Sequence, residues 1–575
     1  MSRTQWLIQA KKADFNAIGA AFGISPVTAR LIRNREVVGM DAVYQYLNGT
    51  VEDLYEPMLL PDMGRCLEVL QRKIEEKKRI RIVGDYDIDG ICSTYLLYRA
   101  LTRAGAMADY EIPDRIRDGY GINESIIRAA AADGIDTILT CDNGIAALDQ
   151  ARLAGELGMT MLITDHHDIR KDEEENDLLP QAAAVVNPKR QDSRYPYPEI
   201  CGAMVAYKLV LGLYRIFGIP EKEWLDMMEF AAIATVGDVM KLQDENRIVV
   251  KEGLRRIGCT RNLGLRKLIE KNNLDPDRIT AYQIGFVIGP CLNASGRLET
   301  AKLALSMLLS EDEAEAESMA DHLKELNDVR KDMTAKGVEE ASSLVESSFA
   351  DDWVLVVYLP YCQESLAGIV AGRLRERYHK PSIGLTPGEE AVKGSGRSIE
   401  GYHMFQALTE ADDLLLKYGG HPMAAGLSLP EENIEAFRRR LNERARQTMT
   451  EKDFVEKIWI DVAMPFEYIS EPFIRELALL EPFGQGNESP QFAQRRLKVR
   501  SARVAGKNRN VVMLSLASES GCVMEARWFG DGDGFMEEMG SRRLMDVIYY
   551  PEINEYNGRR SIQIIIRQYR FSESP

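Results

Sequence analysis

The sequence predicts an α/β protein with a parallel-sheet domain, a smaller α/β domain joined to it by a long helix, and a C-terminal β-barrel. Three observations predict this architecture. Between about residues 50 and 300, short apolar strands alternate with helical segments, as expected for a parallel sheet. Residues 300–348 contain no proline and are rich in Ala, Glu, Lys and Leu, which indicates a long helix or a helix pair. From about Phe454, short runs of alternating polarity are separated by polar turns.

Length and composition restrict the class of protein. A chain of 575 residues is too long for one hydrophobic core and predicts three or more domains. The formal net charge of −17 does not favour nucleic-acid binding, although an acidic protein can bind DNA through a local basic groove. The eight cysteines include no CxxC pair, which favours reduced thiols in a cytoplasmic protein. We find no signal peptide and no run of about 18 apolar residues, so no membrane span is expected.

The N-terminal residues, up to about residue 48, predict short helices with a turn at Gly23 and Pro26. The segment GISPVTARLIRNR has the spacing of a helix-turn-helix. A helical cap on the domain that follows is the favoured interpretation, and both interpretations stay open at this point.

The first strand of the predicted parallel sheet ends in carboxylates. Residues 79–83 are apolar at alternate positions and run into Asp85, Asp87 and Asp89, before a helix from about Ile91. If the extended conformation continues, all three carboxylates point the same way. Such a cluster requires protons or cations, and divalent ions prefer carboxylate oxygens. A solvated acidic turn is the alternative for this spacing taken alone.

Three further apolar segments deliver Asp and His side chains. Residues 137–140, 159–164 and 230–236 run, in turn, into Asp142, the Asp165-His166-His167 triplet and Asp238. In open α/β sheets the C-terminal ends of the strands form the ligand-binding edge. Carboxylates mixed with imidazoles suit Mn²⁺ or Mg²⁺ better than a structural zinc. The predicted ligands, enough for two ions that share a bridging carboxylate, are Asp85, Asp87, Asp89, Asp142, His166 and Asp238.

Glycine-rich segments predict an anion site in the second half of the chain. Residues 291–301 (CLNASGRLETA) predict a polar turn that contains Arg297. In the second α/β domain, VKGSGRS and YGGHPMAAG predict turns carrying Ser395, Arg397 and His421. Glycine allows the backbone to approach a phosphate closely, and arginine supplies a fork that fits it. Ordinary turns are the alternative, but two such segments in one small domain favour an anion site.

The C-terminal runs suggest a small antiparallel barrel such as an OB-fold. Arg and Lys on its strands, together with Trp, Tyr and Phe, favour a domain that binds single-stranded nucleic acid. An ordinary barrel with an aromatic core is the alternative.

The motifs resemble those of a known family. GDYDIDG, CDNG, TDHH and VGDV, in this order, resemble the four motifs of the DHH phosphoesterases, and KGSGRS and GGHPMAAG resemble their DHH-associated domain. NASGRLETA, ELNDVRK and PFGQGN extend the resemblance, from about residue 20 to the C-terminus, to the RecJ exonucleases of bacteria. The implied parts are an N-terminal helical cap (1–48), a DHH catalytic domain (49–299), a connecting helix (300–350), a DHH-associated domain (351–450) and an OB-fold nucleic-acid-binding domain (451–575).

The resemblance implies a metal-dependent 5′→3′ exonuclease that degrades single-stranded DNA to 5′-mononucleotides in DNA recombination and repair, with two Mn²⁺ or Mg²⁺ ions. It implies Asp142, His166 and His167 as catalytic residues, with His167 a phosphate contact or proton donor. Substrate phosphates are expected at Arg115, Arg297, Ser395, Arg397 and His421. The expected partners are single-stranded DNA and a single-strand-binding protein or a repair helicase.

One stretch departs from the family pattern. The family commonly carries a GWHxGVxGIVA-like sequence, and this chain has Gln363 in place of that histidine. A divergent paralogue with another substrate preference therefore stays open. An oligoribonuclease or cyclic-dinucleotide phosphodiesterase shares the metal motifs, but the long chain with its barrel argues against it. A non-catalytic replication factor is the third alternative, and the intact set of metal ligands argues against that.

Overall fold

The computed structural model describes residues 4–115, 117–119, 121–556 and 558–572. The chain forms two compact units. Among the described residues, the larger unit consists of Thr4, Tyr55–Met240 and Glu252–Glu456, and the smaller consists of Gln5–Leu54, Lys241–Lys251 and the residues from Lys457 onward. The domain boundaries expected from the family resemblance stay predictions.

The strands are β1 Thr4–Ile8, β2 Arg79–Val83, β3 Met107–Glu111, β4 Thr137–Cys141, β5 Thr160–Thr164, β6 Ala184–Val186, β7 Leu355–Tyr358, β8 Ser382–Thr386, β9 Val392–Arg397, β10 Lys417–Gly420, β11 Ala424–Leu429, β12 Glu456–Ile460, β13 Val462–Ala463, β14 Phe492–Ala505, β15 Val511–Ala517, β16 Val523–Phe529, β17 Leu544–Tyr556 and β18 Arg559–Ser572. The helices are α1 Phe15–Phe22, α2 Pro26–Asn34, α3 Met40–Asn48, α4 Met63–Glu75, α5 Ile88–Arg103, α6 Glu124–Ala132, α7 Leu148–Glu156, α8 Gly202–Phe217, α9 Glu221–Leu225, α10 Met228–Gly237, α11 Asp244–Ile257, α12 Leu263–Lys271, α13 Ala281–Gln283, α14 Gly289–Leu298, α15 Lys302–Leu309, α16 Glu313–Ser348, α17 Glu364–Tyr378, α18 Met404–Thr409, α19 Ile434–Thr448, α20 Glu471–Ala478 and α21 Gly532–Met539.

The first sheet of the larger unit confirms the predicted parallel sheet. Its order is β3-β2-β4-β5-β6, and every neighbouring pair is parallel. The central strand β4 is buried at all five positions, as its apolar sequence predicts. Because the strands run the same way, the chain leaves Val83, Cys141 and Thr164 at one edge of the sheet.

Two segments around this sheet are helical. The apolar run 230–236 lies in α10, so Asp238 reaches the sheet edge from the C-terminal end of a helix. The prediction of a polar turn at 291–301 is wrong, because most of it belongs to α14. Asn, Ser and Gly favour turns locally, but Leu292 and Ala294 are fully buried, and this packing outweighs the local preference.

The predicted connection at 300–348 is a helix pair, α15 and α16. The second helix has 36 residues and packs against α12 and α14 with Ala316, Ala320 and Leu323 buried. Near its C-terminal end, Ala341 and Val345 share a small core with β7 and α17. The connector is therefore packed along one face onto both parts that it joins.

The second sheet of the larger unit has the order β10-β11-β9-β8-β7. The predicted turn VKGSGRS is in fact strand β9, which lies between β8 and β11. YGGHPMAAG supplies β10, a turn that contains His421, and β11. Gly384 and Gly426 on the two neighbouring strands pair with Ser395, so these small residues form part of a sheet instead of loops.

The smaller unit confirms the predicted barrel, but the barrel is not antiparallel throughout, because β16 and β18 pair in parallel. The order β14-β15-β16-β18-β17 closes because β17 also pairs with β14. The core of the barrel includes Leu31 and Ile32 from α2 together with Phe473 and Phe492. The N-terminal helices therefore belong to the unit of the barrel, because their large apolar side chains complete its core. This corrects the expected cap on the domain that follows them in the chain.

The helix-turn-helix interpretation is not supported. Helices α1 and α2 do meet at 108°, an angle typical of the motif. However, five of the nine residues of α2 are buried, including Leu31 and Ile32, and its two arginines are engaged within the chain: Arg30 donates to the carbonyl of Gln9, and Arg33 pairs with Glu36. Among the described residues, no single helix is long and apolar enough to cross a membrane. Only α1 and α2 taken together, a pair bent at the turn between them, would have the required length and composition.

Candidate metal centre and the cationic cavity beside it

The aspartates of the first motif do not lie on a continued strand, so the alternation argument for them is wrong. Strand β2 ends at Val83, and α5 begins at Ile88 with Asp87 as its N-cap. The Asp87 carboxylate accepts hydrogen bonds from the backbone N–H groups of Asp89 (3.0 Å) and Gly90 (3.1 Å). A tight strand-to-helix turn therefore brings the carboxylates together.

Asp89 is held by a second helix. Its two oxygens accept hydrogen bonds from the N–H groups of Gly202 and Ala203, both at 2.7 Å. These residues open α8, so the carboxylate lies at the positive end of the helix dipole. A side chain at Gly202 would come within 2.7 Å of the Cβ atom of Asp142, which requires glycine there. Helix α8 thus approaches the carboxylates by its backbone.

The structure brings all six predicted metal ligands together. Three groups have ligand atoms within 4.8 Å of one another: Asp85 with Asp87 and Asp142, Asp89 with His166 and Asp238, and Asp142 with His166 and His167. The Nε2 atom of His166 lies 3.2 Å from Asp142 and 3.5 Å from Asp89. Asp142 belongs to two groups, as a bridging carboxylate would.

The electrostatics of this cluster call for cations. Burial, followed by the charge of a neighbouring aspartate, raises the pKa of Asp85, Asp87 and Asp142, and raises the pKa of Asp238 to about 8. Burial lowers the pKa of His166. In the part of the chain that the structure describes, neither ring nitrogen of His166 nor Oδ1 of Asp85 has a hydrogen-bond partner. Carboxylate oxygens with one or two imidazole nitrogens fit Mn²⁺ or Mg²⁺.

Asp165, which the sequence did not single out, positions the histidine pair. Its Oδ1 atom accepts hydrogen bonds from the N–H groups of His166 (2.7 Å) and His167 (3.1 Å) and lies 2.8 Å from Nδ1 of His167. Its Oδ2 atom accepts a bond from the N–H of Ile145. Burial lowers the pKa of His167, but the hydrogen bond to Asp165 and the charges of Asp165, Asp89 and Asp238 together outweigh it and raise the pKa to about 9. Asp165 therefore fixes the orientation of the His167 ring through Nδ1.

Removing the Asp165 carboxylate should destabilise the larger unit. We expect Asp165→Ala to lower the free energy of unfolding by about 3 kcal/mol, because buried backbone donors lose their acceptor. Asp165→Asn keeps one acceptor oxygen and should cost less. Urea titrations followed by circular dichroism measure this, with the exposed Asp149→Ala as the control. An Asp165→Ala protein as stable as the control would show that these bonds are not needed.

Helix α14 supports the loop that carries the aspartates. The side chain of Asn293 accepts a hydrogen bond from the N–H of Ile88 (2.8 Å). At Gly296, a Cβ atom would lie 2.4 Å from the carbonyl oxygen of Tyr86, so the helix and loop touch backbone to backbone. Val239, the residue directly after the metal-ligand candidate Asp238, has φ 57°. This left-handed conformation is strained for a β-branched residue. The NASGR segment is thus part of the support of the metal centre.

A cavity of about 830 Å³ lies between this loop and the second sheet. Tyr86, between two of the metal-ligand candidates, lines it. The cationic side chains that line it are Arg115, Arg170, Arg297, Lys393, Arg397 and Lys417. Glu364 is the acidic residue of the lining, and none of the six cations forms an ion pair with a described residue. Six such cations in one cavity indicate an anion site.

The cavity collects four of the five predicted phosphate contacts: Arg115, Arg297, Ser395 and Arg397. One guanidinium N–H of Arg297 donates to the carbonyl of Ser365 (2.9 Å), and one of Arg397 donates to the Ser395 hydroxyl (3.0 Å). Burial lowers the pKa of Arg297 to about 10, so this side chain stays charged at neutral pH, and burial also lowers the pKa of Arg397. His421 is exposed in the turn before β11 and does not line the cavity.

Three cations of the lining were missed from the sequence. Arg170 follows the histidine pair in a charged loop, and Lys393 and Lys417 lie on the second sheet. The lysine before GSGR was a visible signal for Lys393. Nothing local distinguishes Arg170 or Lys417 from ordinary surface residues, because only the fold brings them to the cavity.

Comparison with known protein families assigns three domains. Residues 79–235 match the DHH family N-terminal domain, residues 351–447 match the DHHA1 domain, and residues 460–568 match the RecJ OB domain.

Characterised relatives and solved structures agree with these domains. The single-stranded-DNA-specific exonuclease RecJ of Bacillus subtilis (strain 168) is 35% identical over 581 residues, covering 100% of this chain and 71% of the relative. The protein of the same name from Escherichia coli (strain K12) is 32% identical, covering 94% of this chain and 95% of the relative. The crystal structure of RecJ from Thermus thermophilus with Mn²⁺ has a TM-score of 0.84 and 28% identity, and the match covers 100% of this chain and 80% of the solved chain. The structure of RecJ from the same organism with Mg²⁺ has a TM-score of 0.78 and 27% identity, and the match covers 100% of this chain and 79% of the solved chain.

Proposed function

Because this chain belongs to the RecJ family of single-stranded-DNA-specific exonucleases, we propose that it degrades single-stranded DNA from the 5′ end and releases 5′-mononucleotides in DNA recombination and repair. The observation that carries the proposal is that one loop serves two sites. Asp85 and Asp87 lie in the metal cluster, while Tyr86 between them lines the cationic cavity. A phosphate bound in the cavity would therefore lie next to the loop that carries two of the metal-ligand candidates.

We propose that the six predicted ligands would hold two divalent ions, an interpretation supported by Asp142, which belongs to two of the three ligand groups. When bound, such ions make a water molecule more acidic and stabilise the charge on the attacking and leaving oxygens. His167, oriented by Asp165, donates a proton or a hydrogen bond to the phosphate or the leaving O3′ atom. Arg297 and Arg397 hold the terminal phosphate. Cleavage of the next phosphodiester then releases one mononucleotide and leaves a new 5′-phosphate on the strand.

An exposed aromatic pair supports a single-stranded substrate. The rings of Tyr282 and Phe286 stack with centroids 4.7 Å apart, and both residues are more than 60% exposed. They lie on the helical segment that continues into α14, which supports the aspartate loop through Asn293. Unpaired bases can stack on such rings, whereas the bases of a duplex are already stacked on one another.

The barrel is proposed to add affinity for long strands. Lys498, Arg500 and Arg503 are exposed on β14, and none forms an ion pair within the described residues. We expect replacing all three by alanine to weaken binding of a long strand and to reduce the slope of log K against log[salt] by about 2, because up to three phosphate contacts are lost. Fluorescence anisotropy at several salt concentrations measures both, with a short oligonucleotide for comparison.

The control for the barrel variant is Arg509→Ala, which removes an exposed arginine already paired with Asp533. An unchanged salt slope in the triple variant would show that this face of the barrel does not bind DNA. We also propose, from the family resemblance, that a single-strand-binding protein or a helicase is a partner of this protein.

The direct test of the proposed function compares three substrates with and without Mn²⁺. These are long single-stranded DNA, short RNA and a cyclic dinucleotide. We expect metal-dependent release of mononucleotides from the DNA. The match to the RecJ OB domain favours this outcome over the alternative of an oligoribonuclease or cyclic-dinucleotide phosphodiesterase. Activity on short RNA or the cyclic dinucleotide alone would reverse that preference.

A further inference from the structure

The face of the second sheet that lines the cavity has two rows of residues across β9, β11 and β10. The register places the first row at Ser395, Gly426 and Gly419. It places the next row at Lys393, Ser428 and Lys417. All six residues line the cavity. The two rows are two residues, or roughly 6.8 Å, apart along the strands.

The glycines keep this face flat. A Cβ atom at Gly419 would meet nothing within 4 Å, and one at Gly426 would meet only the carbonyl oxygen of Gly394, at 4.0 Å. Open space therefore lies above the first row, beside the Ser395 hydroxyl. An elongated ligand can run over these glycines from the first row to the second.

The lysine row is not needed for one phosphate. Arg397 and Ser395 contact the first turn of α17, where a Cβ atom at Gly368 would lie within 3 Å of both. Arg297 donates to the same turn, at Ser365. These groups form one compact phosphate subsite, and a terminal phosphate brings at most two negative charges to it.

The lining as a whole has six cations and one acid, a net of five positive charges. Lys393 and Lys417 lie one row further along the sheet, and neither has an ion pair or a side-chain hydrogen bond with another described residue. Their ammonium groups are therefore available to additional negative charge beyond the first phosphate.

We propose that the lysine row is a second anion subsite, which receives the additional phosphates of a 5′-diphosphate or 5′-triphosphate end, so that the enzyme also degrades strands that begin with a triphosphate. This inference rests on the proposed function, with the α-phosphate of the end at Arg397 and the β- and γ-phosphates over the glycines towards Lys393 and Lys417.

The reaction on such a strand has a recognisable product. Water attacks the phosphorus of the first phosphodiester, the P–O3′ bond breaks, and O3′ leaves with a proton. The released nucleotide keeps its 5′ end and is a nucleoside 5′-triphosphate. The shortened strand carries a 5′-monophosphate, so every later turnover releases a nucleoside monophosphate. One triphosphate per strand is the expected signature.

The experiment uses the full chain with Mn²⁺ and three DNA oligonucleotides of one sequence that carry a 5′-hydroxyl, a 5′-monophosphate or a 5′-triphosphate. We expect the triphosphate strand to have a KM no higher than that of the monophosphate strand, and mass spectrometry to detect its first nucleotide as the triphosphate. The double variant Lys393→Ala/Lys417→Ala should raise KM for the triphosphate strand about tenfold, and KM for the monophosphate strand by less than about twofold. Lys452→Ala, an exposed lysine outside the cavity, is the matched control.

The outcomes separate this inference from the proposed function. If the wild-type enzyme digests the monophosphate strand but not the triphosphate strand, the second subsite is wrong and the exonuclease function stands. Equal effects of the lysine variant on both strands would also overturn the second subsite. If none of the three strands is digested, the proposed function itself fails.

Discussion

Asp142→Asn is expected to abolish turnover while the chain remains folded. Asp142 is buried, belongs to two of the three ligand groups, and lies 3.2 Å from the imidazole of His166. Removal of its charge should lower kcat by about 10³-fold or more, because the proposed two-metal site would lose the carboxylate that belongs to two ligand groups. Asparagine is a better test than alanine, because Asp142 has φ 59° and asparagine tolerates this left-handed conformation.

Thermal unfolding shows whether the Asp142→Asn variant is inactive because it has lost a metal ligand or because it is unfolded. Burial and the neighbouring aspartates raise the pKa of Asp142, so a neutral amide relieves repulsion, and in chelator the variant should be at least as stable as the wild type. Mn²⁺ should raise the unfolding temperature of the wild type more than that of the variant. Asp149→Asn, at an exposed position, is the control. Full activity of Asp142→Asn, or full activity of the wild type in chelator, would contradict the two-metal proposal.

Arg397→Ala is expected to remove the preference for a 5′-phosphate. The Arg397 guanidinium lies beside the Ser395 hydroxyl and the first turn of α17, at the subsite proposed for the terminal phosphate. Loss of this charge-assisted contact should raise KM for 5′-phosphorylated strands by about 10- to 100-fold and leave 5′-hydroxyl strands nearly unchanged. Stabilisation by Mn²⁺ should persist, because no metal-ligand candidate is altered.

Strands labelled at the 3′ or 5′ end, each with and without the 5′-phosphate, measure both polarity and end preference. Early release of a 5′ label as mononucleotide, with slow loss of a 3′ label, is the expected pattern. Arg439→Ala, an exposed arginine on α19, is the control. Release from the 3′ end, or an end preference that does not respond to Arg397→Ala, would show that the cavity does not select the 5′ end.

Much of the architecture follows from local patterns. The parallel sheet and the barrel are predictable because apolar runs of strand length and alternating runs reflect which faces are buried. Local patterns failed where small residues were involved. The residues of NASGR favour a turn but lie in helix α14, and those of KGSGR favour a turn but form strand β9. In both segments Gly, Ser and Asn have weak or turn-forming preferences, and contacts with neighbouring elements decide the conformation.

The residue types of the candidate metal centre could be predicted from the sequence alone, because the type of side chain decides which ions it can bind and because the ends of β2, β4 and β5 meet at one edge of a parallel sheet. Only the tertiary structure decided how the ligands are held and what lies beside them. Asp165 orients His167 through hydrogen bonds that the sequence does not display. Lys393 and Lys417 lie in the same row across the sheet only because of the register of β9, β11 and β10. Register and packing depend on contacts between residues far apart in the chain, so no local pattern contains them.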